Sequence, residues 1–314
     1  MPRQDAPPGA APLVSIIMNC YNGERYLREA IDSILVQTYT SWEIVFIDNC
    51  STDGSAAIVK SYGARVRYFR TVVNVRLGAA RAYAVERCEG EYIALLDVDD
   101  SWLPEFLAVM VKEMRTGGYA LAYAGQFEMD VASRITGKAV PRANRGYLLP
   151  DLLRQFDAYL PASVLCRSQL LAMGLNFDSS IVASEEYCLF MQIAARATVC
   201  SIDRPLVRYR ILGNSLTVRA IRHWALERFY TIRKVMQDNP GVSARHRREF
   251  AEAFARGIYY RARYLVRMAR YAHARTILLK CGRCDIRYRL MGILLWVAPW
   301  SWAIIHYLKN RRQA

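Results

Sequence analysis

Between residues 13 and 125, strand-like apolar runs alternate with helical stretches, and no other feature of the chain limits its possible folds as strongly. LVSIIM (13–18), EIVFI (43–47), VRYF (66–69), YIALL (92–96) and YALAYA (119–124) are the strand-like runs. The helical stretches between them are ERYLREAIDSILVQ, a segment after Ser51-Thr52-Asp53, Leu77 to Cys88, and one opened by Pro104. That order predicts a doubly wound α/β domain, with a mainly parallel sheet and helices on both faces. Such sheets bind ligands at the carboxyl ends of their strands. Those ends carry Asn19, Tyr21 and Asn22, then Asp48 and Asn49, then Asp97, Asp99 and Asp100.

Past residue 125 the pattern weakens. Residues 126–160 read as an irregular loop over the sheet edge, followed by the strand ASVLC (162–166), a helix from Ser184 to Arg196, and short strands at TVCSI (198–202) and Leu206 to Tyr209. From Ile221 onward the pattern is helical throughout. The expected organisation is a leader at 1–12, a domain at 13–218 divided near 125/126, and a helical tail at 219–314.

Charge follows the same division. The formal net charge is +15, yet residues 1–218 hold 22 Lys/Arg against 23 Asp/Glu, while residues 219–314 hold 21 against 5. A near-neutral domain with a basic tail points to an anionic membrane surface or partner, and no recognised nucleic-acid module accompanies the tail. Arg256, Arg263, Arg267 and Arg270 fall on one stripe at helical spacing, opposite Ile258, Ala262, Leu265, Ala269 and Ala272. Either a membrane contact or a solvated face of a packed helix fits that stripe. The apolar stretch 290–308 has the length to span a bilayer, but Pro299, three mid-stretch tryptophans and basic flanks favour a bent, in-plane contact. The N-terminus lacks the apolar core of a signal peptide, so a cytoplasmic start with peripheral or monotopic attachment to the inner face of the membrane is expected. Eight scattered cysteines read as reduced thiols, and Cys281-Gly-Arg-Cys284 has no second ligand pair at zinc spacing.

Three carboxylates within LLDVDDSW (95–102) repel one another and resist burial, so a metal, a cationic side chain or water must compensate them. Glu185-Glu186 opens a helix, where two acids either serve the helix dipole or supply a base.

Three blocks together resemble family 2 glycosyltransferases, the inverting nucleotide-sugar enzymes with a GT-A fold. They are VSIIMNCYNGERYLREAIDSILVQTYTSWEIVFIDNCSTDGS, NVRLGAARAYAVERCEGEYIALLDVDDSW and GLNFDSSIVASEEYCLFMQIAAR, and the resemblance covers about residues 13–217. It implies donor contacts at Asn19, Tyr21, Asn22, Asp48, Asn49, Asn74, Arg81, Asp97 and Val98. Asp97-Val98-Asp99 matches the family's DxD motif, which implies Mn²⁺ or Mg²⁺ on Asp99, with Asp97 on the ribose or a metal-bound water. Asp100 is left to the following helix or to the sugar.

By the same alignment Glu186 stands at the family's catalytic Asp, with Glu185 the other candidate base. Three departures stand out. Asn49 replaces a frequent second Asp, Gln192 a usual Arg, and Leu212 a frequent His, which leaves Arg210, Asn214 or Ser215 to meet the diphosphate. The implied activity is transfer of a sugar, UDP-linked in the first instance, to a saccharide or lipid-linked acceptor in cell-surface polysaccharide or glycolipid assembly. The departures leave one alternative, a catalytically weak glycosyltransferase-like binding or assembly subunit.

Overall fold

The computed structural model describes residues 11–213, 221–281 and 286–297. In it β1 (Val14–Cys20), β2 (Trp42–Asp48), β3 (Val66–Arg70) and β4 (Tyr92–Leu95) are parallel neighbours. They are linked by α1 (Glu24–Leu35), α2 (Ser55–Lys60) and α3 (Leu77–Val85). Their order is β3-β2-β1-β4, so the sheet grows one way from β1 and then reverses. The reversal opens a crevice beyond the ends of β1 and β4, the usual ligand position in such sheets.

The period of two along each strand builds two cores. Ile16, Ile44 and Ala94 pack with α1 and with α4 (Phe106–Gly117), while Ile17, Val45 and Ile93 face α3 on the other side. Helices therefore cover both faces, as the alternation of runs requires.

The second half departs from the parallel frame. β5 (Ser101–Trp102) is a short edge strand, and β6 (Leu121–Met129) continues well past the predicted run. Next come β7 (Ile135–Ala139), β8 (Asn144–Gly146) and α5 (Leu149–Arg154), so residues 126–160 are more regular than expected. The sequence hid β7 and β8 because both are largely exposed and carry no apolar alternation. Strand β9 (Ser163–Cys166) inserts antiparallel between β4 and β6, and α6 (Arg167–Ala172) follows it. After α7 (Glu185–Ala194), the two short strands expected at 198–209 form one strand, β10 (Val199–Arg210). Its register shifts on either side of Pro205, which has no N–H to donate to the ladder.

The C-terminal helices are α8 (Ile221–Asp238), α9 (Val242–Arg245), α10 (Arg247–Arg267), α11 (Tyr271–Cys281) and α12 (Ile286–Val297). Ile232 and Val235 of α8 and Phe250 and Ala253 of α10 enter the same core as α5 and α7. Farther along, Ala262, Leu265, Ala274, Leu278 and Leu295 make a separate small core.

The basic stripe is not one continuous face. α10 ends at Arg267, Ala269 takes φ 55°, and Ala272 belongs to the next helix. Ala262 and Leu265 are buried against neighbouring helices, and Arg256 donates to the terminal carbonyl of α5 at Arg154. Of the apolar stretch 290–308, only residues up to Val297 are described, and no described helix is long and apolar enough to cross a membrane. Cys284, Asn214 and Ser215 also lie outside the described residues.

Candidate active site

The turn after β1 is fixed by mutual capping. Asn22 sits at φ 53°, its Oδ1 accepts from the Thr52 amide at 2.8 Å, and its own amide donates to Ser51 Oγ. Asp53 accepts from the Glu24 amide at 3.1 Å while Glu24 accepts from the Gly54 amide at 2.6 Å, so α1 and α2 cap each other. A Cβ at Gly23 would lie 2.8 Å from Val98, which shows how closely this turn approaches the DxD turn. Tyr21 presents its ring, 57% exposed. The Asn19 amide is enclosed and meets no partner among the described residues, a state that costs about 1–3 kcal/mol.

Asp48 and Asn49 end β2 with their polar atoms engaged inside the protein. Asp48 is fully buried and accepts from Tyr68 Oη at 2.5 Å and the Ser51 amide at 2.7 Å, with Arg70 3.4 Å away. The resulting desolvation pushes the Tyr68 phenol up to about 12. Asn49 pairs with Val75 in both directions, its Nδ2 donating to the carbonyl at 2.8 Å and its Oδ1 accepting from the amide at 2.9 Å. A carboxylate could not make the first of these bonds. The Asn in place of a second Asp therefore has a structural reason: it fastens the exposed loop 72–74, where Asn74 bonds the Asn49 carbonyl at 3.0 Å.

The carboxylates of LLDVDDSW have separate environments. Asp97 accepts from Arg81 at 2.6 Å, and the same guanidinium reaches across to Glu185. Arg81 is 4% exposed, and the two acids hold its pKa far above the ordinary arginine value despite burial. Asp100 neither caps the next helix nor reaches the cleft. It is buried and accepts from the Arg210 amide at 2.8 Å, and desolvation and its neighbouring acids raise its pKa well above the usual range.

Arg210 is likewise committed within the fold, donating to the Asp99 carbonyl at 2.9 Å and to Glu29 at 2.6 Å while lying over the Tyr26 ring. It holds the carboxylate turn and is not free for a diphosphate. The Asp99 carboxyl meets no hydrogen-bonding side chain among the described residues, and desolvation, then Asp97, pushes it up to about 6.

Across the crevice, α7 begins at Glu185, whose carboxylate is 1% exposed and paired with Arg81. Glu186 is half-buried on the cleft wall, and burial followed by the Glu185 charge raises its carboxyl to about 8. Close approach of α3 to this corner needs Gly78, where a Cβ would lie 2.6 Å from the Asp178 carbonyl and 3.4 Å from Glu185 Cβ. Gln192 donates to Asp238 at 2.9 Å, joining α7 to the end of α8, a bond that an Arg there would make as an ion pair instead.

Sequence reasoning missed Glu227. Reaching over from α8, its carboxylate accepts from the Val182 amide at 2.8 Å, the Ala183 amide at 3.3 Å and Ser184 Oγ at 2.6 Å. These are the residues that lead into α7, so the C-terminal helices prop the end that carries Glu185 and Glu186. One signal was available, since Glu227 is one of only 5 acids in the basic segment 219–314.

Asp97 and Asp99 also pass a test as a divalent site. No group of three or more His, Cys, Asp or Glu gathers as a cage among the described residues. Two adjacent acids, with Asp99 lacking a partner side chain, fit Mg²⁺ or Mn²⁺, which takes one or two carboxylates and completes its shell with phosphate oxygens and water.

The glycosyl transferase family 2 model matches residues 15–167. The putative teichuronic acid biosynthesis glycosyltransferase TuaG of Bacillus subtilis is 34% identical over 213 residues, covering 66% of this chain and 82% of that protein. The chain belongs to glycosyl transferase family 2. The Escherichia coli UDP-Glc:alpha-D-GlcNAc-diphosphoundecaprenol beta-1,3-glucosyltransferase WfgD is 27% identical over 231 residues, 73% of this chain and 88% of that one. The chain spans about a third of the length of an uncharacterized glycosyltransferase of Rickettsia felis, 34% of it at 28% identity. Among solved structures, the Pyrobaculum calidifontis mannosyltransferase PcManGT, in complex with GDP-Man and Mn²⁺, superposes with TM-score 0.60 at 16% identity over 94% of this chain and 88% of that one. This likeness establishes the GT-A fold.

Proposed function

We propose that this family 2 member is an inverting glycosyltransferase that moves a sugar from a UDP-linked donor to a hydroxyl of a saccharide or lipid-linked acceptor, in cell-surface polysaccharide or glycolipid assembly. One observation carries the reading: Arg81 ties Asp97 to Glu185, leaving Asp99 on one rim and Glu186 on the other as carboxyls without an ion pair among the described residues. Inversion needs a base on the face opposite the leaving diphosphate, and Glu186 supplies it, with its raised pKa suited to taking a proton near neutral pH. Glu185 is the lesser candidate because its charge already neutralises Arg81.

On the donor side, Tyr21 offers a ring face to the base, and Asn19, Asn22 and Asn74 offer amides. Asp48 and Asn49 shape the floor from below, Val98 and Gly23 close the turn, and Asp97 and Asp99 would hold Mn²⁺ or Mg²⁺. When bound, that ion stabilises negative charge on the departing diphosphate. The UDP preference and the lipid-linked acceptor draw support from the name of the E. coli relative. Attachment to an anionic membrane face draws on the basic segment 219–314 and on exposed Leu290, Ile293, Trp296 and Val297 of α12.

The test is release of UDP from a panel of UDP-sugars with Mn²⁺, with the anomeric configuration of the product read by NMR. Activity that vanishes in Asp99→Asn and Glu186→Gln, with inverted product, is expected. Unchanged activity in both variants, or a retained configuration, would overturn the mechanism. No activity in the wild type with any donor would favour the non-catalytic subunit.

A further inference from the structure

Glu186 also lines a cleft of about 170 Å³ together with Phe156, Tyr187, Trp224, Arg228 and Tyr260. A single water needs about 10–15 Å³ by the same measure, so the cleft has room for a ligand much larger than water, on the scale of a sugar ring. Its walls come from α7, α8 and α10 and from the segment after α5, so only the tertiary fold assembles them. Arg228 is 7% exposed, with its guanidinium 4.4 Å from the centre of the Tyr187 ring and 5.5 Å from that of Tyr260. Those rings serve a cation's faces, but its Nε and Nη2 atoms meet no acceptor among the described residues.

Glu227, the acid next to it in sequence, is occupied by the residues leading into α7. A guanidinium buried without an in-plane acceptor is costly, and a bidentate oxyanion is the partner its fork fits. Trp224 stands edge-on to Tyr260 at 5.4 Å, completing an aromatic wall suited to the apolar face of a sugar.

We propose that this cleft is the acceptor subsite, and that it selects a glycoside carrying a carboxylate or phosphate, seated on Arg228 so that a ring hydroxyl lies toward Glu186. The inference deepens the acceptor half of the function proposed above and rests on that reading. Arg228 would act as a specificity-determining residue, with the chemistry left to Glu186.

The experiment is ligand-observed NMR on the full chain, with and without UDP and Mn²⁺. The probes are methyl β-D-glucuronide, glucose 1-phosphate and neutral methyl β-D-glucoside. The wild type should hold at least one anionic probe roughly tenfold or more tighter than the neutral one, the scale of a hydrogen bond to a charged group. Preference for the glucuronide assigns a sugar carboxylate, and preference for the phosphate assigns a glycosyl phosphate. Arg228→Gln should erase the preference, and Arg228→Lys should keep part of it. Equal binding of the three probes by the wild type overturns the proposal without any variant. So does a preference that survives in an Arg228→Gln protein that melts like the wild type. Loss of UDP binding in the same titrations would instead count against the donor reading, so the two failures are distinguishable.

Discussion

Each rim of the cleft presents neighbouring acids, and on each rim one acid is tied to Arg81 while another has no ion-pair partner among the described residues. On the sheet rim the pair is Asp97 and Asp99; on the helical rim it is Glu185 and Glu186. The rims differ in what holds them. The sheet rim is set by strand ends and by Arg210, which clamps the carboxylate turn within the domain. The helical rim depends on a contact from 43 to 45 positions downstream, where Glu227 of α8 accepts from the residues leading into α7. The base proposed at Glu186 stands on this borrowed support, so its position and the binding of the donor should be separable by mutation.

The largest effect expected is on Glu186. Glu186→Gln should lower kcat roughly 10²–10⁴-fold, the range for loss of a general base, while the melting temperature holds or rises because a half-buried carboxyl with a raised pKa has been neutralised. In the wild type, kcat should climb with pH and level off above about 8, where Glu186 has lost its proton. A flat profile from pH 6 to 9 would move the base elsewhere.

Arg81→Met should break both rims at once. It leaves Glu185 buried and uncompensated, for a loss of about 3–5 kcal/mol in chemical denaturation. A loss below about 1 kcal/mol would mean that the bridge is dispensable.

Glu227→Ala should cost about 1.5–3 kcal/mol and lower kcat more than it weakens nucleotide binding. Equal loss on both would refute the separation of the rims. On the sheet side, Asn49→Asp should cost about 1–3 kcal/mol by leaving the Val75 carbonyl without its donor, and should weaken nucleotide binding while sparing the pH profile.

The smallest effect concerns pH and metal. Asp99 and Glu186 have folded pKa values above the unfolded carboxylate range of about 4, so their protonated forms favour the fold. That contribution is full below about pH 4 and is lost as pH rises, through about 6 for Asp99 and about 8 for Glu186. On the proposed reading Mn²⁺ would compete with the proton on Asp99, so its stabilisation of the fold in thermal melts should grow as pH rises through 6 and disappear in Asp99→Asn.

Much of the donor side was legible because its chemistry is local. A strand that runs apolar and ends in Asp or Asn announces both its burial and its site, which is why Asn19, Asp48 and Asp97 to Asp100 could be placed at the sheet edge from the sequence. What those residues do with their oxygens was not legible. Asp100, expected as a cap or a sugar contact, accepts from the Arg210 amide of β10, and Asn49, expected at the base, bonds Val75 in both directions. Both outcomes depend on partners 26 to 110 positions away.

The sequence by itself determined the alternation of strands and helices, the two-sided core and the order of the polar strand ends, since period and turn chemistry act over a few residues. Tertiary structure alone decided which acid is paired and which is left open, and it built the Arg228 cleft from helices far apart in the chain. The physical reason is that charge compensation in a buried site depends on distances across the fold, and spacing along the chain does not encode those distances.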